Sequence, residues 1–353
     1  MEVNPDGPVA VPIRDHFGAG TQGLFQISDH ADLPDHVLKI ISPRAGDLHD
    51  IGPGVSPSPR AANYWAREAC FYTDPGSCAG PGLRAPRPYA VEHRDDGTIG
   101  LRLEHVDGTA PRTPADHHAA AAALATFNAH HLRHPHTEPP PWLSRSWLRW
   151  WFLSTVPAVA NTLQDPDLAR LADITAIVDP TAARTLVTGL WTARTALLGR
   201  LAAIPRTLNH LDANQRNLLH TPDGDVVAVD WSYVGIEALG ADPSQLFAST
   251  ATRLLVPADA LDEHYDAVLT GYLAGLRDAG LPDTLLRQVP DWFALHTCLR
   301  WGATHLFWLR HLTDPRRRQL LEQRWWHRPF GEAADDLAGS HRFFLRLADR
   351  CAR

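Results

Sequence analysis

A histidine, an aspartate and an asparagine lie close together in the second half of the chain, as His210, Asp212 and Asn217. A turn at residues 222–225 and an apolar segment follow, and that segment ends at a second carboxylate, Asp230. A hairpin through the turn would return Asp230 to the neighbourhood of Asn217. Carboxylate and amide oxygens suit Mg²⁺, which completes its shell with water and phosphate oxygens. Asp212 would then accept a proton from an incoming hydroxyl, or orient it.

The chain holds 33 lysine and arginine residues together, and only one of them, Lys39, is a lysine. It lies in an apolar segment, residues 36–41, that is typical of a buried strand. A lysine is a compact charge on a slim stem, which suits phosphate oxygens in a narrow cleft. Glu68, in a helix predicted over residues 61–72, would pair with Lys39 and fix its position. Taken alone, Lys39 is explained equally well as a surface residue.

A glycine-rich run, Gly18, Gly20, Thr21 and Gly23, precedes a short predicted strand. No helix follows it, which argues against a dinucleotide-binding fingerprint, since that fingerprint needs strand, glycines and helix in order. Glycines let backbone N–H groups approach phosphate oxygens, so the run fits a lid over a nucleotide. A plain hairpin turn is the alternative.

The composition changes near residue 107. Before it, short β-like segments predict an antiparallel β-β-α-β-β unit, and after it an alanine- and leucine-rich helical pattern begins. We therefore predict a nucleotide-binding lobe at residues 1–107 and a helical catalytic and substrate-binding lobe at residues 108–353. Glu104 and Val106 fall at this hinge, where backbone groups would meet an adenine edge.

Taken together, these motifs resemble those of the aminoglycoside phosphotransferase and choline kinase-like family, relatives of the protein kinases. The matching residues are Gly18, Gly20, Gly23, Lys39, Glu68, His210, Asp212, Asn217, Asp230 and the stretch from Gly235 to Pro243. The resemblance implies an α+β, two-lobed protein-kinase-like fold, with a small antiparallel β-sheet lobe and a larger, mainly helical lobe. It also implies ATP or GTP in the cleft with Mg²⁺, and phosphoryl transfer to a hydroxyl of a small molecule.

Departures from the protein-kinase pattern narrow the class of molecule that accepts the phosphoryl group. Leu211 stands where protein kinases carry an arginine, Trp231 and Ser232 follow the metal-binding aspartate in place of Phe-Gly, and no Ala-Pro-Glu segment follows. These features favour a small-molecule kinase over a regulated protein kinase. Two alternatives stay open: a kinase for Ser or Thr of a peptide in a biosynthetic pathway, and a nucleotide-binding pseudokinase.

Composition excludes other classes of protein. A net charge of −7 argues against a nucleic-acid binder or an anionic-membrane binder. The apolar segments are too short to span a bilayer, and no secretion signal is visible. Four scattered cysteines without a CxxC pair indicate reduced thiols in a cytoplasmic enzyme. Six histidines between residues 117 and 136 lack metal-ligand spacing, and we interpret them as a solvated helix face.

Overall fold

The computed structural model describes residues 9–13, 20–28, 33–44, 54–166, 172–175, 177–312 and 314–352. A small sheet comes first along the chain and helices follow. Gly18, one of the residues assigned to the glycine-rich run, lies outside the described residues. The division at residue 107 falls in the segment between the sheet and the first long helix, and it stays a prediction.

Five antiparallel strands form the first sheet. They are β1 Val9–Pro12, β2 Thr21–Ser28, β3 His36–Ile41, β4 Pro88–His93 and β5 Ile99–Glu104. Their order across the sheet is β1-β2-β3-β5-β4. Lys39 therefore lies in the central strand, paired with Leu24 of β2 and Leu101 of β5. The four predicted strands are confirmed, and β1 is an added edge strand that the sequence reasoning missed.

Helix α1 (Arg67–Thr73) begins later than predicted. The cause is Arg67, which is buried and whose guanidinium donates to the carbonyls of Ala61 at 2.6 Å, Ala62 at 2.9 Å and Trp142 at 2.8 Å. Because a buried guanidinium needs acceptors, the residues before α1 turn their carbonyls toward it instead of continuing the helix. Glu68 still falls in the first turn of α1.

The remainder of the chain is mainly helical, as predicted. Its helices are α2 Pro114–Arg133, α3 Trp147–Thr162, α4 Ala172–Thr175, α5 Pro180–Thr192, α6 Arg194–Ala202, α7 Ala241–Thr252, α8 Leu261–Asp278, α9 Asp283–Leu286, α10 Val289–Trp301, α11 Pro315–Leu321 and α12 Phe330–Ala352. A 3₁₀ segment, Thr304–His311, and a π segment, Glu322–Trp326, interrupt the tail. One continuous buried apolar cluster joins the sheet to the helices.

Two short strand pairs lie between α6 and α7 and position the predicted motif. β6 (Arg206–Asn209) pairs with β9 (Gly235–Ala238), and β7 (Leu218–His220) pairs with β8 (Val226–Ala228). The predicted hairpin is thus present as β7 and β8. It returns the chain so that residues just after β8 lie beside the loop that follows β6.

The interpretation of the histidines as a solvated face is wrong for two of them. His117 and His131 are buried in α2. His117 Nδ1 donates to the Thr113 carbonyl at 2.9 Å, and its Nε2 lies 3.2 Å from Thr250 Oγ1. Both ring nitrogens of His117 therefore have hydrogen-bond partners inside the protein, so this polar side chain is tolerated in the core. Within the described ranges, no helix combines the length and apolar character needed to cross a membrane.

Glycines allow α2 and α8 to approach closely. A Cβ on Gly275 would lie 2.4 Å from the Ala122 carbonyl oxygen, and one on Gly271 would lie 2.2 Å from the His118 carbonyl oxygen. Such distances are far inside van der Waals contact, and backbone atoms cannot move aside as a side chain can. Both positions therefore require glycine for packing.

We expect Gly275→Ala to destabilise the protein by about 1–3 kcal/mol through overpacking against α2. The matched control is Gly199→Ala in α6, where a Cβ would meet nothing within 4 Å. There, alanine should stabilise the helix by about 0.5–1 kcal/mol. Urea unfolding of both variants measures the difference, and equal effects of the two substitutions would contradict the packing argument.

Candidate active site

The loop that follows β6 is held by one buried carboxylate, Asp242 at the start of α7. Its Oδ2 accepts from the backbone N–H of His210 at 3.0 Å, and its Oδ1 accepts from that of Leu211 at 2.8 Å. The Asn128 amide donates to Oδ2 at 3.1 Å, and the Tyr272 hydroxyl donates to Asn128 Oδ1 at 2.8 Å. Helices α2, α7 and α8 thus fix the loop through one hydrogen-bonded network.

Two residues of the site adopt left-handed backbone conformations that side chains disfavour. Leu211 has φ 63° and Asp230 has φ 62°. Each costs on the order of 1–3 kcal/mol. His210 links the two segments, because its Nε2 donates to the Val229 carbonyl at 3.0 Å and its Nδ1 accepts from the Asp212 N–H at 3.2 Å. Burial lowers the pKa of His210 to about 4, so the ring stays neutral and keeps both bonds.

Asp212 is oriented through both of its carboxylate oxygens. Its Oδ2 accepts from Asn217 Nδ2 at 3.0 Å, and its Oδ1 accepts from Gln245 Nε2 at 2.9 Å. Arg300 lies 3.9 Å from Oδ1. Burial, followed by repulsion from Asp230, raises the pKa of Asp212 to about 6, and the arginine opposes this shift. The carboxylate is ionised at neutral pH and is a stronger base than an ordinary aspartate.

Lys39 lies between two carboxylates. Its Nζ is 2.6 Å from Glu68 Oε2 and 2.9 Å from Asp230 Oδ1, and its side chain is only 8% exposed. Burial disfavours the ammonium, but Asp230 and Glu68 outweigh burial and raise the pKa of Lys39. Lys39 in turn holds the pKa of Asp230 below its ordinary value, against the effect of burial. Burial raises the pKa of Glu68 to about 7, against the effect of Lys39, so Lys39 and Asp230 are the two groups that stay charged across the neutral range.

These charges line one cavity of about 330 Å³ between the sheet and the helices. Apolar side chains of Leu24, Val37, Leu103 and Leu219 form part of its wall. Of the predicted site residues, those in the lining are Thr21, Lys39, Glu68, Glu104, Val106, Asp212, Asn217 and Asp230. An apolar slot beside a group of charges is the surface that a nucleotide requires, since its base is flat and its phosphates are anionic.

The donor set fits a hard divalent cation. Asn217 and Asp230 contribute amide and carboxylate oxygens, and the backbone N–H of Val229 donates to the Asn217 carbonyl at 2.9 Å, which holds the two segments together. Across the described part of the chain, no cluster of three or more His, Cys, Asp or Glu residues could hold a metal by itself. Two protein oxygens completed by phosphate and water match Mg²⁺.

Two groups of predicted residues lie differently from the expectation. Gly20 and Gly23 do not line the cavity, and Gly23 is inside β2, paired with Ile40 beside a register shift. Glu104 does line it, but its carboxylate is bound by Arg84 at 2.6 Å and 3.0 Å and its N–H donates to the Arg87 carbonyl. Any contact from Glu104 to a base would come from its carbonyl.

Sequence reasoning missed several residues of the site. Asp242 carried a signal, because it lies in the stretch that resembles the family, yet its anchoring role was not recognised. Gln245 and Arg300 hold Asp212 from α7 and α10, and Arg216 and Arg253 line the same cavity. Nothing in their local sequence distinguishes them from other polar residues, so only the fold could reveal them.

Solved structures resemble the whole fold. The amicoumacin kinase hAmiN, solved with AMP-PNP, Ca²⁺ and Ami, has a TM-score of 0.53 and 15% identity over 98% of this chain and 89% of that one. An ethanolamine kinase from Plasmodium vivax scores 0.54, with 12% identity over 98% and 85%. The spectinomycin phosphotransferase APH(9)-Ia, with ADP and spectinomycin, scores 0.54, with 12% identity over 96% and 93%. The predicted two-lobed, kinase-like α+β fold is confirmed.

A comparison with curated protein sequences gave no significant match. The family model described as "Phosphotransferase enzyme family" matches residues 77–283, more than half of the chain. That span contains Asp212, Asn217 and Asp230 but begins after Lys39 and Glu68. The predicted resemblance and the predicted class of enzyme are both confirmed: the chain belongs to the phosphotransferase enzyme family.

Proposed function

We propose that this phosphotransferase transfers the γ-phosphoryl group of ATP to a hydroxyl of a small molecule, with Mg²⁺ bound by Asn217 and Asp230. The observation that carries the proposal is the arrangement of Lys39, between Glu68 and Asp230, in the same cavity as Asp212. Nucleotides are named in two of the similar structures, and amicoumacin, spectinomycin and ethanolamine kinases are among them. This supports a small-molecule acceptor.

The residues divide the work as follows. Glu68 holds Lys39, whose ammonium binds the phosphates, and the phosphates compete with Asp230 for this ammonium. Bound Mg²⁺ would neutralise charge on the phosphate oxygens. The acceptor oxygen forms a bond to the γ-phosphorus, the bond to the β–γ bridging oxygen breaks, and ADP leaves with its electron pair. Asp212 takes the acceptor proton, and Asn217 and Gln245 keep its oxygens aimed. Alignment and charge neutralisation supply much of the rate.

Two further proposals concern the lobes and the compartment. We assign nucleotide binding to residues 1–107 and catalysis with acceptor binding to residues 108–353, because the cavity is walled by both. Cys70, Cys78, Cys298 and Cys351 form no disulfide with one another. Free cysteines persist in reducing compartments, which supports a cytoplasmic location.

Observations argue against the two alternative functions. A peptide kinase would favour an open surface around Asp212, whereas the Asp212 side chain is 20% exposed and lines a cavity of about 330 Å³. A pseudokinase would favour an occluded cleft, whereas the cavity is within the range of small-ligand sites, about 300–1,000 Å³. Neither alternative is favoured by a specific feature of the described residues.

Mg-ATP should stabilise the protein. At roughly 100 times its dissociation constant, a ligand that binds only the folded state adds about 2.7 kcal/mol, which a thermal melt detects as an upward shift. Asp230→Ala should abolish most of the Mg-dependent shift, because it removes a metal ligand. Asp223→Ala, an exposed turn residue, is the control and should behave as wild type. Absence of a shift with any purine nucleotide would end the proposal.

Lys39→Arg should reduce phosphoryl transfer by about 10²-fold or more while leaving the fold intact. A guanidinium keeps the charge but is too broad to occupy the gap between Glu68 and Asp230. Transfer from radiolabelled ATP measures the effect. Arg102→Lys, on the neighbouring strand and outside the cavity lining, makes the reverse exchange and should leave transfer unchanged.

The pH profile of kcat/KM should show an acidic limb, a fall in the rate constant as the pH drops below about 6. Asp212 must be deprotonated to accept a proton, and its pKa is raised to about 6, so kcat/KM should fall about tenfold per pH unit below that value. Asp212→Asn should lower kcat by about 10²–10⁴-fold and remove the limb from the residual activity. A limb that persists in this variant would instead belong to Glu68, whose pKa burial also raises.

A further inference from the structure

One buried indole, that of Trp301, lies behind the residues that orient the proposed base, and the proposed mechanism does not use it. Trp301 is the last residue of α10 and is only 5% exposed. Its Nε1 donates to Gln245 Oε1 at 3.1 Å, and Gln245 Nε2 donates to Asp212 Oδ1 at 2.9 Å. Helix α10, helix α7 and the loop after β6 are therefore joined by one chain of hydrogen bonds that ends at the Asp212 carboxylate.

The groups at the two ends of this chain fix the orientation of the Gln245 amide. An indole N–H can only donate a hydrogen bond, and an ionised carboxylate can only accept one. The amide between them must therefore turn its oxygen toward Trp301 and its NH₂ group toward Asp212. The reverse orientation would place the amide oxygen against a carboxylate oxygen and the NH₂ group against the indole N–H, and both contacts would be unfavourable.

Burial makes the orientation of this amide important. Gln245 is 4% exposed, and all residues of α7 are buried, so water has little access to replace a lost partner. A buried polar group without a partner is costly. The two orientations of the Gln245 amide therefore differ strongly in free energy, and the donor on Trp301 favours the orientation in which the amide donates to Asp212.

Neighbouring side chains do not duplicate the contact that Gln245 makes with Asp212 Oδ1. Asn217 donates to the other carboxylate oxygen, Oδ2, at 3.0 Å. Arg300 lies farther from Oδ1, at 3.9 Å, and its guanidinium donates to the Leu211 carbonyl at 2.6 Å. Without the amide donor, the Asp212 carboxylate would gain freedom to rotate about its Cβ–Cγ bond and would lose its fixed direction.

We infer that Trp301 is a positioning residue for phosphoryl transfer: its indole N–H sets the orientation of the Gln245 amide, which aims the Asp212 carboxylate at the acceptor hydroxyl. The inference rests on the proposed function and adds a residue outside the described lining of the cavity. No proton moves along this chain of hydrogen bonds, and it forms or breaks no covalent bond. Its contribution is the alignment of the base, and misalignment by a fraction of an ångström is costly in catalysis.

Trp301→Phe tests the inference, because phenylalanine keeps an aromatic ring and removes the N–H. The assay is phosphoryl transfer from Mg-ATP to water, measured as released phosphate, since water replaces an acceptor that is not identified. We expect kcat to fall by about tenfold or more, which corresponds to the loss of one hydrogen bond to a charged group, with the KM for Mg-ATP unchanged. An unchanged kcat, or a loss confined to KM, would overturn the inference.

The matched control is Trp326→Phe. Trp326 is 3% exposed, and its Nε1 has no hydrogen-bond partner among the described residues. This substitution therefore removes the same atoms from the interior without removing a hydrogen bond, and kcat should stay near that of the wild type. Equal losses of kcat in the two variants would assign the effect to packing and contradict a positioning role for Trp301.

A double-mutant cycle shows whether Trp301 acts through Gln245. Gln245→Met is similar in shape and removes both hydrogen bonds of the amide, so it should lower kcat at least as much as Trp301→Phe does. In the Gln245→Met background, Trp301→Phe should lower kcat no further, because its effect passes through the amide. If Trp301→Phe lowers kcat by the same factor in both backgrounds, Trp301 acts by another route and the inference fails.

A spectroscopic measurement tests the chain of hydrogen bonds without activity, and it also serves where Gln245→Met does not fold. In protein labelled with ¹⁵N at the indole nitrogens, the Trp301 resonance is the one that Trp301→Phe removes. Asp212→Asn should shift this resonance, because the change at the carboxylate reaches the indole through the amide. The Trp326 resonance, identified in the same way, should stay in place. A Trp301 resonance that does not respond to Asp212→Asn overturns the inference.

The outcomes separate the two proposals. Failure of the wild type to bind Mg-AMP-PNP overturns the proposed function, and the positioning role with it. A wild type that binds the nucleotide but releases no phosphate from Mg-ATP would be a pseudokinase, which also overturns both. Normal release of phosphate that Trp301→Phe leaves unchanged overturns only the inference.

Discussion

The Asp242 carboxylate is the interaction on which the rest of the site depends. The loop that carries Asp212 and Asn217 has its own backbone N–H groups to satisfy, and two of them donate to this one side chain. Because Asp242 begins α7 and is bound by Asn128 of α2, the loop takes its position from packed helices. The strained conformation of Leu211 persists since this framework over-determines it.

Charge is the second constraint. The cavity brings together Lys39, Glu68, Asp212 and Asp230 at low exposure, and each charge is tolerable only because another lies beside it. Lys39 forms ion pairs with two carboxylates. The ring of His210 stays neutral, so it can donate one hydrogen bond to the backbone and accept another from it.

Some of these features could be predicted from the sequence, and others could not. The hairpin of β7 and β8 and the strand of Lys39 followed from apolar runs and turn residues, because these are local properties. The position of α1 did not follow, since it depends on Arg67 finding carbonyls that are distant in sequence, including Trp142. Gln245 and Arg300 were equally invisible, because their meaning comes from tertiary contacts with Asp212. The roles assigned to individual site residues stay predictions.

Because Lys39 is the sole lysine of the chain, the rest of the molecule carries its positive charge on other side chains. The sole lysine side chain is buried in the cleft, so side-chain positive charge on the protein's exterior resides in guanidinium groups and imidazoles. Guanidinium groups neither titrate in the biological range nor accept acetyl groups as an ε-amine does. The exterior is therefore insensitive to lysine acetylation, and a reagent specific for lysine ε-amines would report on the cleft alone.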